Sequence, residues 1–197
     1  MKMKILKSQS LKLIAGGLGL SILSGCIVMS VYPFYNQQDL TFDSGLAGQW
    51  VNATSTNEFW QFSSAGEKSY TLTMADNDST NTFSAHLFRL KNYQFMDLLV
   101  TNREMYQMPM HLIAEETRTD AKLSVHFLDY GWLSGYLETN PTFLRHIVVL
   151  SNPDDPSSDK MMYLTAGTAD LQKFLLKHAE DTNAFTADSE KALQRVQ

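Results

Sequence analysis

From Gly45 onward, hydrophobic and polar positions alternate along this chain in short runs of period two. Tyr70-Thr-Leu-Thr-Met74 is the cleanest case. Successive side chains of a strand point to opposite faces, so an apolar residue at every second position marks a strand with one face buried. Eight further stretches read as strands: Leu46–Asn52, Glu58–Phe62, Phe83–Leu90, Tyr93–Val100, Met108–Glu116, Lys122–Leu128, Leu144–Leu150 and Met161–Thr165. Turn-forming residues separate them at Ser64-Ala-Gly66, Asp76-Asn-Asp-Ser79, Lys91-Asn92, Thr119-Asp120 and Asn152-Pro-Asp-Asp-Pro156. Short strands at such spacing predict an antiparallel sandwich or barrel. A barrel is favoured, because closure removes exposed strand edges.

One hairpin is specific enough to test. With Thr119-Asp120 as a two-residue turn, Met110, Leu112 and Ala114 share a face with Leu123, Val125 and Phe127. That face is almost wholly apolar, and a slip of one residue would destroy the match. His111 and His126 then share the opposite face.

Helical periodicity comes later in the chain. Trp132, Leu133, Tyr136 and Leu137 fall on one side of a helix capped by Asp129 and ended by Pro141. Leu171, Phe174, Leu175 and His178 follow the i, i+3, i+4, i+7 pattern of a helix over Thr168–His178, capped by Thr168. This stripe suits packing against a barrel wall. A last short helix, capped by Asp188, is expected to carry Leu193 and Val196.

The first 44 residues have a different texture. Lys2, Lys4, Lys7 and Lys12 precede an apolar run, Leu13–Leu23, and then the small residues Ser24 and Gly25. A basic start, a short apolar stretch and small residues form a secretory signal peptide, here 1–25. A retained transmembrane helix is the rival, since no charge falls between Lys12 and Asp39. Gly16, Gly17, Gly19 and Gly25 weaken such a helix, and a span does not account for the single cysteine of the chain, Cys26. Leu23-Ser-Gly-Cys26 resembles the bacterial lipobox. That resemblance implies cleavage before Cys26, acylation of its thiol and new amine (palmitate among the acyl chains), and anchoring in a membrane. Two or more acyl chains hold stably. Ile27 rather than Asp at the next position implies delivery to the outer membrane, on its periplasmic face, in preference to the inner membrane. Residues 26–44 are expected to serve as a tether, with Pro33, Asn36, Gln37, Gln38 and Asp39 breaking any regular pattern, and 45–197 as a single domain.

Removing 1–25 takes away four Lys, leaving 12 Lys and Arg against 21 Asp and Glu, a net charge of −9. Such a surface repels nucleic acid and anionic headgroups.

The search for chemistry is unproductive. No Gly-x-Ser-x-Gly, His-Glu-x-x-His or phosphate-binding glycine loop is present, and with Cys26 acylated no thiol remains. His86, His111, His126 and His146 fall on strands. His111 and His126 are close enough to share a metal if they are cross-strand neighbours, but two polar residues on the wet face of a sheet is the plainer reading. His178 belongs to the helix stripe. Asp76–Thr80 mimics the start of a calcium loop but has Asn81 and Leu87 where Gly and Glu are required, so a hairpin turn is expected. Asp154, Asp155 and Asp159 could gather calcium, but a solvated loop rich in Pro and Ser explains them with less. No catalytic residue, metal or cofactor is assigned, and an enzyme ranks last. Tyr70, Phe83, Phe127, Trp132 and Tyr136 are candidates to line a ligand cup, with a filled core as the equal alternative.

Leu46-Ala-Gly-Gln-Trp50 resembles the Gly-x-Trp opening motif of lipocalins, at Gly48 and Trp50. By that resemblance Trp50 closes the base of a barrel, and Gly48 allows close backbone packing. Leu128-Asp129-Tyr130 is similar to the family's second motif. The third, an Arg that covers the Trp, has no counterpart after Met161–Thr165. Ala85-His86-Leu87 and Leu171-Gln-Lys-Phe-Leu175 are also similar to a group of lipocalin-like bacterial lipoproteins without assigned activity. The expectation is a mostly β fold, a lipocalin-like antiparallel barrel of about 8–9 strands with one short helix insertion and C-terminal helices. Two functions follow as expectations: an envelope lipoprotein that binds a small apolar ligand or lipid in its barrel, or a non-catalytic scaffold with a filled barrel that meets an envelope protein partner.

Overall fold

The computed structural model describes residues 28–196, apart from 53–54, 77–78, 102–107, 151 and 186–189. The side chains of 55–57, 190 and 191 are also outside the description. The expected signal peptide 1–25, Cys26 and the expected cap Asp188 therefore lie outside the described residues.

The strands are β1 (Val28–Ser30), β2 (Leu40–Thr41), β3 (Gly48–Asn52), β4 (Ser55–Ser64), β5 (Tyr70–Ala75), β6 (Thr80–Leu90), β7 (Tyr93–Val100), β8 (His111–Arg118), β9 (Lys122–Phe127), β10 (His146–Leu150), β11 (Lys160–Leu164) and β12 (Glu190–Arg195). The helices are α1 (Tyr130–Thr139) and α2 (Thr168–His178). Strands β3 to β9 form a meander, and β12 pairs with both β3 and β9 to close it. The result is a closed eight-stranded antiparallel barrel. Among the described residues, no helix is long and apolar enough to cross a membrane.

All nine strands expected from the alternation are present, but two of them leave the barrel. β10 and β11 pair with each other, and β11 runs parallel to β1. β1 in turn joins the start of β8 through Ser30 and His111. These three strands form a flap that extends from the barrel wall. The eighth wall strand is β12, where a short helix was expected. Glu-Lys-Ala-Leu-Gln-Arg has helix-forming composition, yet two open strand edges offer backbone hydrogen bonds on both sides, and tertiary context overrides local preference.

Alternation sorts side chains into two cores. Inside the barrel lie Leu46, Trp50, Trp60, Phe62, Tyr70, Leu72, Met74, Phe83 and their neighbours through Leu193. Outside the wall, Phe88, Phe95 and Ile113 pack against α1, α2, the flap and the Phe185 region. Each fully buried Leu or Phe contributes roughly 1.5–3 kcal/mol relative to exposure.

The helices form as their stripes predict. Asp129 caps α1, its carboxylate accepting the Trp132 amide at 2.6 Å. Leu133 and Leu137 bury one side of α1, and Leu171, Phe174, Leu175 and His178 bury one side of α2. The cap of α2 differs from expectation. Gly167 occupies that position, and the Thr168 hydroxyl instead donates to the Pro33 carbonyl at 2.8 Å.

The segment expected to be a tether is packed from Val28 onward. After β1 it crosses the outer wall, where Phe34 is fully buried. β2 pairs with β6 beyond the point where β5 begins, and the 3-10 turn Ser44–Leu46 then folds under the barrel before β3.

Candidate functional site

The barrel interior is filled by its own side chains. Tyr70, Phe83 and Phe127 face inward as expected, joined by Trp50, Trp60 and Phe62, and all are buried. The Trp60 ring lies 6.3 Å from Phe62 and 6.4 Å from Phe127, and Phe62 meets Tyr70 edge-on at 6.2 Å. An eight-stranded barrel is just wide enough for side chains to fill it.

Trp132 and Tyr136 are not among these residues. They stand on α1 outside the wall, stacked at 5.5 Å, and with Phe143 and Phe174 they surround His178. Burial, with the neighbouring Lys177 charge, lowers the pKa of His178, while Asp181 works in the opposite direction. Lys177 donates to the Tyr136 hydroxyl at 2.8 Å and sits 4.4 Å from the Phe143 ring centroid. The five expected lining residues thus divide into two clusters on opposite sides of the barrel wall.

One end of the barrel is plugged. The indole of Trp50 donates to the Leu46 carbonyl at 2.9 Å. Arg195 lies over the Trp50 ring, 4.7 Å from its centroid, and donates to the carbonyls of Gly45 and Ala47. Gly48 makes this possible, because its φ of +132° disfavours other residues and a Cβ there would meet the Arg195 guanidinium at 3.4 Å. The residue that covers Trp50 is thus an arginine of β12. Arg118 pairs with Asp43, Asp43 N donates to the Tyr70 hydroxyl at 2.7 Å, and Gln94 donates to buried Glu116 at 2.8 Å. Burial raises the pKa of Glu116, against the opposing influence of Gln94 and Arg118.

The hairpin of β8 and β9 turns at Asp120-Ala121, one residue later than expected, with Thr119 N donating to the Lys122 carbonyl at 2.8 Å. The register moves by two residues, so the apolar face is preserved but cross-strand partners change. His126 pairs with Glu115, and His111 is not its neighbour.

His111 instead meets Asp97, a residue not singled out from the sequence. Its Nδ1 lies 2.7 Å from Asp97 Oδ1, and Asp97 Oδ2 accepts the Phe34 amide at 3.0 Å. Asp97 pairs with Ile113 on β8, so His111 is its diagonal neighbour, within reach of a direct hydrogen bond. His86 stands opposite Asp97 on β6 and stacks on Tyr35 at 5.0 Å. Burial lowers the pKa of His86 and raises that of Tyr35 to about 12. Asp97 breaks the apolar run Phe95-Met-Asp-Leu-Leu99, and that break is the signal that marks it in the sequence.

A histidine and an aspartate in contact are two parts of a nucleophilic triad, and Ser30 faces His111 across β1 and β8. The arrangement does not deliver a nucleophile. Ser30 and Asp97 are fully buried, and the Ser30 hydroxyl donates to the Tyr32 carbonyl at 2.7 Å. Among the described residues, no group of three or more His, Cys, Asp or Glu is placed to hold a metal ion. The chemistry of this cluster is that of a latch: Asp97 fixes the N-terminal crossing to the wall.

The flap carries the most conspicuous surface. Ile147, Val148 and Val149 of edge strand β10 are 54%, 44% and 38% exposed. Met29, Tyr163 and Ile147 lie in one cross-strand row, and Met161 and Val149 in the next. Paired positions share a face; Met29 packs against the barrel-interior core, and Tyr163, Ile147, Met161 and Val149 continue that face beyond it as an apolar surface. The opposite face, with Val28, Met162 and Leu164, packs into the outer core.

Compared with protein-family models, with curated proteins and with solved structures, the chain finds no match in any of the three.

Proposed function

We propose that this chain is an envelope lipoprotein, anchored through acyl chains on Cys26, in which a lipocalin-like barrel acts as a rigid scaffold and not as a container or an enzyme. The observation that carries the reading is the filled interior: Trp50, Trp60, Phe62, Tyr70, Phe83 and Phe127 are all buried within it. What would be the lining of a ligand cup is spent on internal packing, and the unpartnered apolar surface lies outside, on the flap. The lipocalin-like reading draws support from Gly48, Trp50 and Arg195, which together close the base as that family's motifs imply. The anchor reading rests on the residues Lys2 to Cys26. Outer-membrane delivery is part of the same proposal and rests on Ile27.

Two experiments test it. Palmitate labelling in a bacterial host should be lost in Cys26→Ser, and normal labelling of that variant refutes the anchor. Native mass spectrometry of detergent-free protein should show the bare chain mass. A stoichiometric small molecule or lipid that survives purification would return the function to ligand carriage.

A further inference from the structure

We infer that the free apolar face of the flap, formed by Tyr163, Ile147, Met161 and Val149, rests on the zwitterionic surface of the membrane that holds the anchor. The inference builds on acylation at Cys26 and goes beyond it, because an anchor alone leaves the orientation of a protein open.

The argument is geometric. Residues 26–44 would let the domain swing freely if they formed a tether. They do not, since the chain is in β1 by Val28 and paired to Met162 of β11. Only Ile27 separates Val28 from Cys26, and two extended residue steps reach at most about 7 Å. An acylated Cys26 therefore holds the start of β1 at headgroup depth. Val28, Met162 and Val148 lie in one row across the flap. Two strand spacings bring β10 within about 10 Å of β1. The flap is thus the part of the molecule drawn to the bilayer, and its free face is the apolar one.

The residues suit that location. Each of the four is apolar or, in Tyr163, amphipathic with a ring that favours the interface. Among the described residues the Tyr163 hydroxyl donates to the Met161 sulfur at 3.7 Å, a weak acceptor that a lipid headgroup can replace. The flanking Arg145 and Lys160 are exposed at the two ends of the flap. The net charge of −9 directs the choice of lipid: neutral headgroups accept this protein, anionic ones repel it. The free edge of β10 would gain cover at the same time, since unpaired apolar edges otherwise invite association.

The test uses the full chain, purified with its acyl groups and reconstituted in phosphatidylcholine vesicles. With Cys26 acylated, a cysteine placed by Ile147→Cys is the sole free thiol and takes an environment-sensitive maleimide dye. Thr71→Cys, exposed on β5 well round the barrel from β8, is the control. The expected result is blue-shifted emission at Ile147→Cys that nitroxide-labelled lipid quenches severalfold more than at Thr71→Cys. Water-like emission at both sites on an acylated chain overturns the inference and leaves the anchor standing. Blue-shifted emission that labelled lipid does not quench overturns it in favour of a protein cover, such as a second copy. Mass spectrometry showing unmodified Cys26 removes the anchor itself, and the inference falls with it.

Discussion

The guanidinium of Arg195 covers the indole of Trp50, and the two residues are brought together by the pairing of β12 with β3. One side chain from each end of the domain thus seals the same end of the barrel. The contact combines a cation over an aromatic face with charge-assisted hydrogen bonds to the carbonyls of Gly45 and Ala47. A desolvated cation–π pair contributes up to about 2 kcal/mol and hydrogen bonds to a charged group about 1.5–3 kcal/mol, so Arg195→Ala should cost roughly 2–4 kcal/mol. Arg195→Lys should recover less than half of that, because an ammonium cannot fork to both carbonyls while it lies flat on the ring. Urea denaturation followed by tryptophan fluorescence measures both. A lysine variant as stable as the parent would show that charge alone suffices.

Asp97→Ala removes the acceptor for both Phe34 N and His111 Nδ1. Each stranded buried donor costs about 1–3 kcal/mol, so a total loss near 3 kcal/mol is expected. The effect should be local. Hydrogen exchange at the Phe34 amide should accelerate strongly, while amides of β3 and β4, on the far side of the barrel, stay protected. Uniform acceleration across the barrel would contradict the latch.

Phe83 is buried in the core inside the barrel. Phe83→Ala should destabilise by about 3–5 kcal/mol and leave an apolar cavity. Such cavities stay dry and accept molecules of benzene size. Benzene should therefore raise the melting temperature of Phe83→Ala and leave the parent unchanged. Stabilisation of the parent by benzene would mean that the interior already holds usable space.

Stability should depend on pH in the weakly acidic range. His86 and His178 both have pKa values lowered by burial from the ordinary 6.5. The unfolded chain then binds protons that the folded chain refuses, so stability declines as pH falls below about 6.5 and levels off below the folded pKa values. Glu116 acts in the other direction: its pKa is raised, so the folded state takes up a proton first as pH falls toward 4.5. His178 faces Lys177 and Asp181, which oppose each other, leaving burial as the main cause. Melting temperatures from pH 7.5 to 5.5 should fall in the parent and fall less steeply in His178→Gln. Equal slopes would remove His178 from the account.

Much of the wall was readable because period-two alternation needs no long-range information. Tyr70–Met74 and Tyr93–Val100 state their strand character locally. What escaped depends on partners distant in sequence. Residues 190–195 offer little apolar signal beyond Leu193, and only the open edges of β3 and β9 make them a strand. Whether His111 neighbours His126 turns on a register that a one-residue change of turn shifts by two positions, and the His111–Asp97 contact depends on the separate pairing of β7 with β8. β10 and β11 are as apolar as wall strands, yet they leave the barrel, because membership of a sheet is decided by pairing and not by pattern. Trp132 and Tyr136 were grouped with Tyr70 on chemistry alone; the barrel wall that separates them has no trace in composition.

The pairing of Trp50 with Arg195 joins residues almost a whole domain apart in sequence. A barrel closed in this way cannot be completed until the last strand has left the ribosome and, on the proposed route, crossed the inner membrane. Non-local closure of this kind is slow, because loop entropy must be overcome before the contacts reward it. Until then the chain presents two unsatisfied edges, on β3 and on β9. The interval between translocation and closure is when this protein is most exposed to proteases and to misplaced strand pairing, and any envelope chaperone that serves it would act on that unzipped seam.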